Sequence, residues 1–154
     1  MNEYTIETTK KFLSKYGKSP LADFGGGRPS TKKWMSNNLP LFGITSYENY
    51  DLIGGTKTLD LVKDTVQEKF NTILCIDTLE HVTNPFAVAK NIEDSLNPGG
   101  HALIIAPFKW DRHGKDYFRY TEEGLKVLFN NVEVVHQESK VEPLGESVTI
   151  IIKK

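Results

Sequence analysis

Cysteine is nearly absent from this chain. Cys75 is the single one in 154 residues, which excludes an internal disulfide framework and predicts a reducing, cytoplasmic setting. Long apolar runs are missing too: none approaches the roughly 18 residues that read as a bilayer span. Glu3 and Glu7 stand where a secretory signal would carry its apolar core, so no membrane association is expected. Neither sign of charge is in excess. A formal net charge of −1 gives no global field to recruit nucleic acid, and no nucleic-acid partner is expected. Repeats, low-complexity tracts and interdomain linkers are also lacking. Residues 1–154 therefore read as a single domain, large enough to bury a core without staples.

What is present is organised around Thr72 to Phe108. Thr72–Ile76 is an apolar run suited to a strand covered on both faces. An acidic corner follows, with Asp77, Thr78, Glu80 and His81. Asn84-Pro85 predicts a helix start, and Val88, Ala89, Ile92 and Leu96 repeat along one face. Asn97-Pro98-Gly99-Gly100 stops that helix, and Ala102–Ala106 reads as a second buried strand. Such a βαβ unit places working groups just beyond the carboxyl ends of its strands.

Upstream, residues 4–16 predict an amphipathic helix with Ile6, Phe12, Leu13 and Tyr16 on its apolar side, ended by Gly17. It would cap the sheet or close over a ligand. Pro20–Phe24 reads as a brief strand running into Gly25-Gly26-Gly27-Arg28-Pro29, a turn that lets backbone approach a ligand closely. Ser30-Thr31 then opens a short helix carrying Trp34 and Met35. Leu41–Thr45 predicts the second strand and Asp51–Ile53 the third, with too few residues between for a helix. Residues 59–70 predict a helical turn or two. Downstream, Phe108–Tyr120 is a long loop rich in aromatic and ionisable side chains. Thr121 caps a further helix buried through Leu125, Leu128 and Phe129, and residues 132–137 and 148–152 predict a closing antiparallel pair.

Four pieces in this order (Asp23-Phe24-Gly25-Gly26-Gly27, Asp77 to Val82, Asn97 to Gly100, Asp116 to Thr121) resemble a class I S-adenosylmethionine-dependent methyltransferase. The likeness is to the small-molecule methyltransferase-like domains. It implies an α/β, Rossmann-like three-layer sandwich. The sheet would be mostly parallel, of about seven strands, with an antiparallel last strand set between its neighbours and a reduction between strands two and three. It further implies that Asp23, Gly25, Gly26 and Gly27 lie against the methionine and ribose of S-adenosylmethionine, and that Asp77 and Thr78 line the floor near the sulfonium. The family ends its second strand in a ribose-binding acid. Here that place falls to Thr45, with Glu48 as a displaced substitute. The adenine-side acid falls on Gly55, leaving Tyr47 and Tyr50 to stack on the base.

For the chemistry, His113 in the long loop is the candidate general base for an alcohol acceptor, with Asp116 and Tyr117 beside it. Phe108, Trp110 and Arg119 are candidate substrate contacts; the competing reading of Arg119 is a loop clasp through carbonyls. Asp77, Glu80 and His81 are spaced i, i+3, i+4, similar to a metal-associated corner in ubiquinone-pathway O-methyltransferases. The expectation is instead that Glu80 and His81 cap the helix at Asn84, and that no metal is held. The function expected is O-methylation of a small molecule or sugar, with a second copy completing the cleft as a homodimer. A thinned adenosine side keeps a second class open, a non-catalytic methyltransferase-like binding or scaffold protein. An NAD-linked enzyme is disfavoured, because the glycine turn lacks the GxGxxG spacing.

Overall fold

The computed structural model describes residues 1–112 and 114–154. In chain order the elements are α1 (Glu3–Tyr16), β1 (Leu21–Phe24), α2 (Pro29–Asn38), β2 (Tyr47–Asp51), β3 (Lys57–Thr58), β4 (Phe70–Ile76), α3 (Pro85–Ser95), β5 (Leu96–Lys109), α4 (Glu122–Leu128), β6 (Glu133–Glu142) and β7 (Gly145–Lys153). They form one sheet of seven strands in the order β3-β2-β1-β4-β5-β7-β6. The pairs from β3 through β5 are parallel. β7 runs antiparallel to both neighbours, inserted between β5 and β6, as the resemblance implies.

Alternation along the strands divides the core into two layers. Leu21, Leu74, Leu103 and Ile105 face Phe12 and Leu13 of α1 and Met35 of α2. Ala22, Ile73, Cys75 and Ile104 face Val88 and Ile92 of α3 and Leu125 of α4. The layer order is therefore helix, sheet, helix. α1 lies on one face, not across an end, and its buried side also includes Thr5 and Thr9. Among the described residues, no helix is long and apolar enough to cross a membrane.

Local signals set most boundaries. Asn2 Oδ1 accepts from the Thr5 N–H, Asn84 Oδ1 from Ala87 and Thr121 Oγ1 from Gly124, each capping a helix start. α2 begins at Pro29 with Arg28 in the cap position, two residues earlier than a cap at Ser30 predicts, because a proline at the first turn gives up no needed N–H.

The region between β1 and β4 departs from expectation. Leu39–Phe42 is a 3₁₀ turn, not a strand; Pro40 sits in its first turn and Gly43 leaves it at φ 72°. Of the apolar run there, Leu39 and Ile44 are buried and Phe42 packs partly buried against them, while Leu41 is 78% exposed. β2 therefore starts at Tyr47, and residues 51–53 are its end and the bend after it. The third strand is the two-residue β3. Residues 59–69 hold turns instead of a helix. They are fastened by buried Asn91, whose Nδ2 donates to Leu61 O and Asp64 O at 2.9 and 2.8 Å and whose Oδ1 accepts from Val66 N at 3.2 Å. β5 also reaches further back than expected, taking in the Asn97–Gly100 turn. Gly99, at φ 78°, donates its N–H to Lys154 O there.

Candidate functional site

At the carboxyl rim, β1 and β2 end side by side, with Phe24 opposite Tyr50, and Gly25 N–H donates to Tyr50 O at 2.7 Å. Gly25 has φ 91°, the left-handed region that favours glycine. A Cβ there would lie 2.1 Å from Thr78 Oγ1, and one on Gly26 would lie 1.8 Å from Asp23 Oδ2. Gly27 N–H donates to Asp51 Oδ2 at 2.8 Å. The glycine turn is thus folded down on Asp23, supported from below by Thr78 and tied to the tip of β2. Thr78 Oγ1 sits 3.0 Å from both Phe24 O and Ile76 O, bracing β1 against β4. Asp77, at φ 49°, turns the chain at the end of β4. Gly25, Gly27, Asp51, Asp60, Asp77 and Thr78 all line one cavity of about 650 Å³. That is within the range of small-molecule sites.

The register of β2 corrects the adenosine side. Thr45 lies at the amino end of β2, on the opposite rim, where its N–H donates to Ser19 Oγ at 2.8 Å. The strand ends in an acid after all, Asp51, half-buried with Oδ1 accepting from Ile53 N–H at 3.0 Å. Glu48 is occupied along the strand by the Tyr50 hydroxyl at 2.8 Å. Tyr50 is core, ringed by Phe24 and Phe70, and Tyr47 reaches under the turn to Asp23, so neither stacks in the cleft. Gly55 marks a tight return of the chain: a Cβ there would meet Asp51 N and Lys57 O at 2.7 Å. The acid that follows the third strand is Asp60, on the cavity wall. Both acids escaped the sequence reading because the strands before them were placed about six residues early. Exposed Leu52 and Ile53, also on that wall, were missed for the same reason.

Asp23 is 2% exposed, with Tyr47 Oη and Asn49 Nδ2 each 3.4 Å from Oδ2. Burial pushes its carboxyl up from 3.8 to about 7; the hydrogen bond from Tyr47 offsets part of this. The raised value means that the folded state resists ionisation. The stability from Asp23 is full below the unfolded pKa of 3.8 and is lost as pH climbs through about 7. Asp23→Asn should therefore flatten the fall in stability of the unliganded protein between pH 5 and 8. The variant's advantage should grow to a few kcal/mol, on the order of 1.4 per pKa unit. Parallel melting curves across that range would contradict the assignment.

Asp77 is shared by this cleft and a second cavity of about 200 Å³, whose wall includes Arg28, Glu80, Trp110, Asp116 and Arg119. Arg28 lines both and was not singled out from sequence. Burial raises the Asp77 pKa, an effect that Arg28 partly offsets. Asp116 is engaged by both guanidinium nitrogens of Arg119, which also donates to Trp110 O at 3.3 Å and Phe118 O at 3.0 Å. Arg119 is thus a clasp through carbonyls as well as part of the cavity wall. Phe108, Trp110 and Arg119 come together on the wall of an outer groove of about 640 Å³ that continues from the inner cavity. Tyr117 is half exposed and lines none of these spaces. His113 lies outside the described residues.

Glu80 and His81 do not cap α3, whose cap is Asn84 itself. They hold the loop after β5 instead. Glu80 O accepts from Tyr117 N–H at 2.7 Å, and His81 Nδ1–H donates to Lys115 O at 2.7 Å. Among the described residues, no three His, Cys, Asp or Glu side chains are gathered to hold a metal ion.

Known proteins share this fold. Over 78 residues the chain is 30% identical to the tRNA U34 carboxymethyltransferase of Nautilia profundicola, covering 43% of this chain and 25% of that one. It thus spans about a quarter of that relative's length. The fold superposes on the N-methyltransferase NodS of Bradyrhizobium japonicum, solved with S-adenosyl-L-homocysteine. That match has a TM-score of 0.73 at 13% identity, covering 99% of this chain and 87% of the other. It also superposes on the 1,6-didemethyltoxoflavin-N1-methyltransferase of Burkholderia thailandensis, with a TM-score of 0.75 at 14% identity, covering 99% and 79%. The model of the methyltransferase domain matches residues 2–133, and by that match the chain belongs to the class I S-adenosylmethionine-dependent methyltransferases.

Proposed function

We propose that this chain transfers the methyl group of S-adenosylmethionine to an oxygen of a small molecule or sugar. The observation that carries the reading is the pair of adjoining cavities sharing Asp77, one ringed by the glycine turn and two strand-end acids, the other by aromatic and charged loop residues. The residues fit the donor. Asp51 keeps carboxylate lone pairs beyond its two backbone bonds for ribose hydroxyls, Leu52 and Ile53 offer an apolar edge for adenine, and the glycine turn accepts close approach. When bound, the donor supplies an electrophilic methyl on a positively charged sulfur. Asp77 then favours that cation at the floor of the cleft. Because its charge disperses as the methyl moves, a strong hold there would slow the transfer, so acceleration must come mainly from positioning the acceptor.

The acceptor cavity of about 200 Å³ suits a small group entering past Trp110 and Arg119. A net charge of −1 favours a small acceptor over nucleic acid, and the single buried cysteine is consistent with a cytoplasmic location. The non-catalytic alternative rested on missing strand-end acids, and Asp51 and Asp60 remove that premise. Incubation with methyl-labelled donor and pools of hydroxylated small molecules, amines and tRNA tests the reading. Label is expected in small products as O-methyl ethers. Label confined to nitrogen or to tRNA would overturn the acceptor assignment.

A further inference from the structure

The acceptor cavity contains one group that the described site does not use. Glu80 is 4% exposed and lies on the cavity wall, and its Oε2 is buried without a hydrogen-bond donor among the described residues. The other oxygen is 3.6 Å from His81 Nε2, too long for a hydrogen bond. Natural proteins rarely leave a buried carboxyl oxygen unsatisfied, because it forfeits hydration and gains nothing in return. The backbone beneath it is fixed firmly. The 3₁₀ turn Leu79–His81 is held by Tyr120 Oη donating to Leu79 O at 2.9 Å and Tyr117 N–H donating to Glu80 O at 2.7 Å. The acceptor loop and this carboxyl therefore move as one unit. The charged groups around it are Asp77 from the end of β4, Asp116 and Arg119 from the loop, Arg28 from the start of α2 and His81 from its own turn. Arg119 is committed to Asp116, and among the described residues the cation nearest Glu80 is His81, which pairs with Oε1 at 3.6 Å only when its ring is protonated.

Resting on the methyl-transfer reading above, we propose that Glu80 is the group that receives the hydrogen of the acceptor's hydroxyl. A hydroxyl entering the inner cavity would donate to the Glu80 carboxyl on its wall, orienting its lone pair toward Asp77 and the donor. In the transfer, the acceptor oxygen forms the new C–O bond, the carbon–sulfur bonding pair stays on sulfur, and the hydroxyl proton passes to the Glu80 carboxylate. Burial and the neighbouring Asp77 carboxylate push the Glu80 pKa from 4.5 to about 8, near the pH at which a general base works best. A bound sulfonium would favour the ionised, proton-accepting form. This gives the loop base role, expected of His113, to a residue fixed on the wall of the acceptor cavity.

The test needs no identified acceptor. Sinefungin carries a protonated amine where the donor carries its methyl group, whereas S-adenosylhomocysteine carries no charge there. Calorimetry with both ligands on wild type, Glu80→Gln, Glu80→Asp and Asp77→Asn reads which carboxylate faces the transfer point. Glu80→Gln should weaken sinefungin by roughly tenfold or more, as expected from losing a nearby opposite charge. S-adenosylhomocysteine should change less than about twofold, and Glu80→Asp should retain part of the preference. Equal weakening of both ligands would mark Glu80 as merely structural and overturn the proposal. An unchanged ratio in Glu80→Gln with a collapse in Asp77→Asn would overturn it as well. Wild type binding neither ligand would instead overturn the donor-site reading on which the proposal rests.

Discussion

Asp51→Ala is expected to weaken S-adenosylhomocysteine binding by about 100-fold or more. The Asp51 carboxylate accepts from Gly27 and Ile53 N–H groups at 2.8 and 3.0 Å, so its orientation is fixed before any ligand arrives. Its remaining lone pairs face the cavity of about 650 Å³. Two charge-assisted bonds to ribose hydroxyls, at about 1.5–3 kcal/mol each, amount to two or more decades of affinity. Freeing the glycine turn adds to the loss, while melting should fall only modestly because the site is half-buried. Thr45→Ala supplies the contrast. That residue sits on the opposite rim, bonded to Ser19, and its loss should leave binding unchanged. Calorimetry on the pair would count against this register if the two effects were reversed.

The second large effect falls on Gly25. Alanine there must adopt φ 91° and place its Cβ 2.1 Å from Thr78 Oγ1 and 2.8 Å from Thr78 Cβ. Thr78 cannot step aside cheaply, because its hydroxyl braces the ends of β1 and β4. Left-handed strain and overpacking together should cost about 2–4 kcal/mol of stability, and ligand binding should be lost with the turn. Gly43→Ala isolates the strain alone. Gly43 has φ 72° but open space around it, so that variant should lose only about 1 kcal/mol and bind normally. Denaturant unfolding of both separates crowding from backbone preference; equal losses would show that the contact with Thr78 does not matter.

What could be read from the residues follows how strongly local and tertiary preferences agree. The unit from Thr72 to Phe108 was legible because apolar strands, the Asn84-Pro85 start and the helical spacing of Val88, Ala89 and Ile92 all point one way. Thr121 was equally plain. The stretch from Leu39 to Asp60 misled because its apolar residues are not its strand. Leu41 and Phe42 belong to a 3₁₀ turn, whereas the true strand, YENYD, is polar and finds partners only in the fold, with Tyr50 Oη on Glu48 and Asn49 under the glycine turn. β3 is two residues long and has no pattern to detect. An error in that one segment hid both strand-end acids. Glu80 was visible as a residue but not as a buried carboxyl with an unsatisfied oxygen, since that depends on Arg119 choosing Asp116.

The most direct check is a crystal structure of the chain grown with S-adenosylhomocysteine. The account places the ribose hydroxyls on the Asp51 carboxylate, the thioether beside Asp77 and the amino-acid end against Gly25–Gly27. Ligand density elsewhere, for instance in the cavity of about 430 Å³ between Tyr4, Lys11 and His136, would contradict it.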